Sequence, residues 1–379
     1  MRVLHVISGL DPQNGGPTTA LIGMTRWQCE AGLKVCVLAT WKWTTGLPVA
    51  DEMRRRGIEV VHVGPARGRP SWHPDLPRAA QQAVGAADIV HIHAVWEAVQ
   101  RVASRAARLA GVPYLFTPHG MLDPWNMSKR RWLKHLYLRL RMAGNINGAS
   151  ALHFATDAER DAVRRLGLRP PAIVEPFGLD LTEFTAPPAG TFRGKFPQLG
   201  DKPFVLFLGR LHAGKGLELL VPAFARCRLD PWMLVIAGPD TGLGPAVQAD
   251  VARLGLANHV LFTGMLSGVE KSAALAEANL LALPSFHENF GLAAVEALAS
   301  GTPVIVSDQV YLHSQITAAG VGACVPTRIE PLAEELRRWM SDASLRHAAT
   351  SQARRFVAER FDARRIAQNW IEHYTRLRT

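Results

Sequence analysis

Cysteine is scarce in this chain of 379 residues. The four present, Cys29, Cys36, Cys227 and Cys324, share no CxxC spacing. That argues against a disulfide framework and against a cysteine-built zinc site, and for reduced thiols. No stretch approaches the ~18 apolar residues that a membrane-crossing helix needs. The opening MRVLHVISGLDPQNGG lacks the length and cleavage region of a secretory signal. The expectation is a cytoplasmic protein whose membrane contact, if any, is peripheral. Acidic residues are outnumbered, 32 Asp plus Glu against 43 Lys plus Arg, a formal net charge of +11. A basic excess of this size points to a polyanion: a phosphorylated ligand, nucleic acid or an anionic membrane. Hydrophobic residues at 48% exclude a disordered chain. The length suits two domains better than one.

Short apolar runs alternate with helix-like stretches. Val3–Ser8, Lys34–Thr40, Val60–Val63, Ile89–His93, Tyr114–Thr117 and Ala151–Thr156 read as strands in the first half. Phe204–Gly209, Trp232–Gly238, Val260–Thr263, Leu280–Pro284 and Pro303–Ser307 do so in the second. Their nearly continuous Val, Ile and Leu suits parallel strands covered on both faces. Two doubly wound α/β domains follow from this alternation. The Pro- and Gly-rich stretch 178–203 marks their junction, and the tail from 331 reads as helices alone. Thr156 and Glu159 have the spacing of a capping box. Ligands of such folds bind outside the carboxyl ends of the strands, in the loops that follow them.

Five segments carry candidate chemistry. Gly209-Arg210-Leu211-His212-Ala213-Gly214-Lys215-Gly216 follows a strand and opens a helix. Two cations with the amides and dipole of a helix start suit a diphosphate, although the spacing is not that of a Walker loop. Ser285-Phe286-His287-Glu288-Asn289-Phe290-Gly291-Leu292 leads into LAAVEALA, where Glu296 sits among small apolar residues. A carboxylate so placed needs a partner or a ligand, such as the vicinal hydroxyls of a ribose. Asn14-Gly15-Gly16-Pro17 allows close backbone approach but does not fit the dinucleotide fingerprint. His119, held between Pro118 and Gly120, can hydrogen-bond a sugar hydroxyl or an oxyanion, although a lone histidine is more often structural; His91 and His93 share a strand face and read as packing or as support. Ser128–Met142 is a basic amphipathic helix, with Arg130, Arg131, Trp132 and Lys134 beside a Leu133, Leu136 and Leu140 stripe. The stripe suits packing on its own domain, and the charge suits anionic lipid.

In this order the segments resemble the glycosyltransferase family 4 type, retaining enzymes of the GT-B fold. The resemblance covers essentially the whole chain. It rests on HVISGLDPQNGGP, PHGMLDPW, GRLHAGKG, the ENFGLAAVEALASGTPVIVSD block and the ending FDARRIAQNWIEHY. It implies two Rossmann-like domains facing a cleft. Residues 1–178 would bind the acceptor and 179–360 the nucleotide-sugar, with 361–379 a helix returning to the first domain. It also implies that Arg210 and Lys215 hold the donor diphosphate and that Glu296 binds the ribose. Glu288 would contact the donor sugar, with Asn289, Phe290, Gly291 and Leu292 lining that site. Gly16 would lie against phosphate or acceptor, and His119 over the donor sugar, making His119, Glu288, Arg210 and Lys215 the catalytic set. No metal and no further cofactor are implied, and the chain has no Asp-x-Asp motif. The partners implied are a UDP- or GDP-sugar and a saccharide or lipid-linked saccharide acceptor. The variant PHGMLDPW after HIHAVWE looks most like bacterial exopolysaccharide and lipopolysaccharide enzymes. One departure stands out: Phe177 occupies the turn where relatives often carry Asn.

Three other readings compete. A nucleotide-sugar epimerase of the same fold would release a free epimerised product without an acceptor. A nucleic-acid or other polyanion binder would use the +11 charge, but no recognition helix or RNA-binding motif accompanies it. A catalytically silent nucleotide-sugar sensor is the third.

Overall fold

The computed structural model describes residues 1–11, 15–42, 44, 47–68, 70–185, 187–227 and 229–378. The chain divides into two compact units. One comprises Met1–Gly178 with Ala363–Thr379, the other Leu179–Asp362.

The first unit is built on a parallel sheet of β1 (Arg2–Ile7), β2 (Lys34–Thr40), β3 (Glu59–Val63), β4 (Ile89–His93), β5 (Tyr114–Thr117), β6 (Ala151–Phe154) and β7 (Ala172–Val174). The order is β3-β2-β1-β4-β5-β6-β7. The chain winds outward from β1 and then returns to its other side with β4, so the order reverses between β1 and β4. Loops leaving the carboxyl ends there diverge and open a crevice. Val3, Leu4, Val6, Ile89, Val90 and Ile92 are all fully buried, because helices cover both sheet faces. Three histidines break this run, since His5, His91 and His93 are fully buried too. The Ala363–Arg378 helix belongs to this unit, with Ala363 and Ala367 packed on Trp27 of the Gly16–Glu30 helix.

The second unit repeats the plan with β8 (Phe204–Leu208), β9 (Met233–Ala237), β10 (Val260–Gly264), β11 (Leu280–Leu283), β12 (Val304–Ser307) and β13 (Gly322–Val325). Its order, β10-β9-β8-β11-β12-β13, reverses between β8 and β11. The two loops singled out in this half, after β8 and after β11, therefore leave the two strands that flank its reversal. Close backbone approach fixes them. Gly216 has φ +79°, and a Cβ there would stand 2.0 Å from the Pro284 carbonyl oxygen.

Two edge strands, β7 and β13, were not expected. Each is short and only partly buried, so neither has a strong apolar run. The basic segment also differs from one continuous helix. Helices Pro124–Ser128 and Arg131–Tyr137 are separated by Arg130 at φ 53°, and a π turn occupies Leu138–Met142. Leu138 and Met142 face inward, whereas Trp132, Leu133, Leu136 and Leu140 are 69%, 44%, 48% and 67% exposed. The leucine stripe thus does not pack on its own domain. The Thr156–Glu159 pair forms only half of a capping box. Thr156 Oγ1 accepts from the Glu159 N–H, but the Glu159 carboxylate is turned elsewhere.

Gly216→Ala should destabilise the second unit by about 2 kcal/mol or more, because the Cβ collides with backbone and the φ is left-handed. Gly194→Ala, in a helix with open space around it, should leave the thermal midpoint unchanged or raise it. Calorimetric melts of both variants check the contrast.

Candidate active site

In the second unit the loop after β8 carries Arg210 and Lys215. The loop after β11 carries Glu288. A main-chain bond splices the two loops together: the Phe286 N–H donates to Gly214 O at 2.9 Å. The Glu288 segment is pinned from the other side by Glu288 N–H to Gln309 O, 3.0 Å, and Tyr311 N–H to Glu288 O, 3.0 Å. The Lys215 ammonium meets the Glu288 carboxylate in an ion pair. Gly291, at φ 84°, is the N-cap of the Leu292–Ala299 helix; a Cβ there would stand 3.1 Å from Val310 Cγ1. The first amides of that helix have no partner within it and, with its dipole, favour an anion. Asn289 Nδ2 and Ser285 Oγ are buried without a hydrogen-bond partner among the described residues. Phe290 contributes differently from its neighbours. Its ring is buried, edge-on to Phe361 at 5.6 Å, so it anchors the loop and leaves only its backbone for a ligand.

Glu296 is 7% exposed on the Leu292–Ala299 helix. Its buried carboxylate has a partner, Lys271 Nζ at 2.8 Å. Lys271 was not visible as a site residue in the sequence. It lies 25 positions away on the Gly268–Glu277 helix, and no local pattern links the two.

In the first unit, Gly16 starts the Gly16–Glu30 helix with open space where a side chain would be. Asn14 lies outside the described residues. His119 follows β5 with φ 53°, a conformation that costs a branched or bulky residue about 1–3 kcal/mol and persists only when its surroundings impose it. Those surroundings are specific. The fully buried Glu159 carboxylate accepts from Gly120 N–H at 2.6 Å and Ala155 N–H at 2.9 Å, clamping the turn. Phe177, the departure from the family pattern, stacks on the His119 ring at 5.2 Å and 15°. His93 Nδ1 lies 3.0 Å from His119 Nε2.

His119 is the end member of a buried cluster with His5, His91, His93 and His153. Trp370, from the last helix, packs against His91 and His153 with ring centroids 4.8 and 4.7 Å away. His5, His91 and His93 are close enough to share a metal ion. Both ring nitrogens of each are already hydrogen-bonded to protein groups, so this trio does not fit a metal site. Burial pushes the imidazoles towards neutrality: His5 falls to about 4, His153 to about 4 and His119 to about 3, while His91 and His93 lie well below the usual value.

These depressed values fix the sign of a pH effect. An unfolded histidine takes up a proton near pH 6.5, but the folded cluster does not until far lower pH. Stability is therefore full above about pH 6.5 and is lost as pH falls towards the folded values, at up to about 1.4 kcal/mol per pH unit for each histidine. Melts of the first unit between pH 7 and 4 should show this slope. His153→Gln should make it shallower by the share of one proton.

Comparison with known proteins agrees with this geometry. Residues 190–356 match the model for glycosyl transferases group 1, and residues 15–176 match the glycosyl transferase 4-like domain. The chain is 30% identical to a D-inositol 3-phosphate glycosyltransferase of Jonesia denitrificans, over 96% of this chain and 92% of the relative. It is 26% identical to the GDP-mannose:cellobiosyl-diphosphopolyprenol alpha-mannosyltransferase of Xanthomonas campestris, over 99% and 96%. Anabaena HepE, solved with UDP-glucose, superposes with a TM-score of 0.82 at 21% identity, covering 99% of each chain. WaaG, a glycosyltransferase involved in lipopolysaccharide biosynthesis, superposes at 0.74 with 19% identity, covering 98% of this chain and 99% of its own. With strand reversals in both α/β units, the matched models and the full-length relative make this chain a transferase of the GT-B fold, belonging to the family with a glycosyl transferase 4-like first domain and a group 1 second domain.

Proposed function

We propose that the protein transfers a sugar from a UDP- or GDP-sugar to a saccharide acceptor with retention of anomeric configuration and without a metal ion. The observation that carries this reading is the placement of Arg210, Lys215 and the Gly291–Leu292 amides on the two joined loops that flank the β8–β11 reversal. Glycosyl transfer breaks the bond between the anomeric carbon and a phosphate oxygen, so negative charge grows on the leaving diphosphate. Two cations and a helix amino terminus stabilise that charge where it develops, the task a divalent metal performs in other enzymes. Glu296, held by Lys271, takes the ribose hydroxyls. Glu288 contacts the donor sugar, and His119 orients a sugar hydroxyl. In a retaining reaction the acceptor oxygen bonds the anomeric carbon on the face the phosphate leaves. The acceptor proton passes to a phosphate oxygen.

The acceptor we propose is a lipid-linked saccharide of bacterial surface polysaccharide synthesis. Its support is the segment that exposes Arg130, Arg131, Trp132, Leu133, Leu136 and Leu140. Basic and apolar side chains exposed together along one short segment suit an anionic bilayer. Lys134 does not join them, because its ammonium donates to Asn126 O at 2.6 Å.

A thermal-shift panel of UDP, GDP, ADP and their sugar conjugates in EDTA tests the donor. The matching nucleotide at ~100 times its dissociation constant should stabilise the fold by about 2.7 kcal/mol. Lys215→Ala should abolish the shift. No shift with any nucleotide contradicts the donor site, and a shift that needs added metal contradicts metal independence. For the membrane face, cosedimentation should show binding to vesicles rich in anionic lipid at low salt, lost in Arg130→Glu/Arg131→Glu. Equal recovery with neutral vesicles refutes the contact.

A further inference from the structure

The five buried histidines are not merely packed together. Eight hydrogen bonds thread them into one line. Glu175 O meets His153 Nε2 at 2.7 Å, His153 Nδ1 meets Thr117 Oγ1 at 2.7 Å, and Thr117 Oγ1 meets His91 Nε2 at 2.6 Å. His91 Nδ1 meets the Tyr374 hydroxyl at 2.7 Å, and Gln28 Nε2 meets the same hydroxyl at 3.1 Å. Gln28 Oε1 meets His5 Nε2 at 2.7 Å, His5 Nδ1 meets His93 Nε2 at 3.0 Å, and His93 Nδ1 meets His119 Nε2 at 3.0 Å. Every member is buried, so each group between the Glu175 carbonyl and His119 Nε2 must have its partner within the line.

One end of the line has no freedom. A backbone carbonyl only accepts, so His153 must carry its proton on Nε2. A neutral ring then leaves Nδ1 bare, and Thr117 must donate to it. Thr117 accepts in turn from His91 Nε2–H, and the bare His91 Nδ1 takes the Tyr374 proton. The Tyr374 oxygen accepts from the Gln28 amide, whose oxygen must then accept from His5 Nε2–H. The bare His5 Nδ1 takes the His93 proton, and the bare His93 Nδ1 takes that of His119. Reversing the Gln28 amide runs the same logic backwards and sets a bare His153 nitrogen against the Glu175 carbonyl. Two buried acceptors would then face each other, so the carbonyl selects the direction.

We infer that this line fixes His119 as a neutral ring with its proton on Nε2 and a bare Nδ1, an acceptor that receives a substrate hydroxyl and rejects an anionic group in its place, with Gln28 and Tyr374 as positioning residues. His119 Nδ1 has no hydrogen-bond partner among the described residues, unlike the Nδ1 of the other four rings. Its bare lone pair matches an O–H donor and repels a carboxylate or phosphate oxygen. The substrate class that follows is a neutral sugar rather than a uronic acid at that position. The sugar assignment rests on the proposed transferase reading, whereas the tautomer does not. Tyr374 couples the last helix to this chemistry, because its hydroxyl is the only link between the two halves of the line among the described residues.

Long-range 1H–15N correlation spectra of the histidine-labelled full chain at pH 7.5 read the tautomers without substrate. The expected result is a pyridine-type Nδ1 and a protonated Nε2 for His119. In Tyr374→Phe the line is cut, and His119 should populate the Nδ1–H form. In the same variant kcat should fall about tenfold, the cost of about one misplaced hydrogen bond, with the nucleotide dissociation constant unchanged. Gln28→Met makes the same cut if Tyr374→Phe does not fold. A His119 ring that is charged or protonated on Nδ1 in the wild type overturns the inference. So does a cut line that leaves both tautomer and kcat as they were, or a donor uronic acid used as well as its neutral sugar. Failure of the transferase reading alone would show as no turnover of any nucleotide-sugar by the wild type, with the wild-type tautomers as inferred.

Discussion

Parallel strands buried on both faces leave few places for polar chemistry, and the structure follows from that constraint. A sheet covered by helices has apolar residues along its strands, so binding groups collect in the loops at the carboxyl ends. Both units reverse strand order beside their first strand, β1 beside β4 and β8 beside β11. In the second unit the loops at the reversal are spliced by a main-chain bond and by a glycine on which no side chain fits. On the proposed donor-site reading, that rigidity is what two cations and a helix terminus need to serve one diphosphate, because preorganised charges need no rearrangement when the leaving group develops its own.

The first unit meets the same constraint differently. It accepts polar residues inside the sheet, and satisfies each through a line of hydrogen bonds ending at a backbone carbonyl. Burial and the line act together. Burial keeps the rings neutral, and neutrality makes the line directional. The left-handed His119 backbone, the Glu159 clamp and the Phe177 stack then hold the last ring in place. The returning helix closes the line through Tyr374 and packs it with Trp370.

Much of this was legible in the sequence, and the exceptions have physical causes. Val, Ile and Leu runs located eleven strands, but β7 and β13 are short, partly exposed edges without such a run. Both loops of the second unit were legible because cations, glycines and glutamates lie close together along the chain. Lys271 was not, since its bond to Glu296 exists only after two helices pack. His91 and His93 were visible as a pair on one strand face, but the line also needs residue 28, residue 153 and residue 374, brought together by the fold alone. The break at Arg130 carried no sequence signal, as neither proline nor glycine marks it.

The central claim is that the β8–β11 reversal holds the diphosphate of a donor. Lys215 and Glu288 are paired with each other, so a diphosphate must compete with Glu288 for the ammonium. A crystal structure with the matching nucleoside diphosphate is the most direct measurement. The account predicts phosphate oxygens within hydrogen-bond distance of Lys215 Nζ, Arg210 and the Leu292 amide, with the ribose on Glu296. A nucleotide bound elsewhere, or one bound with Lys215 contacting only Glu288, would contradict it.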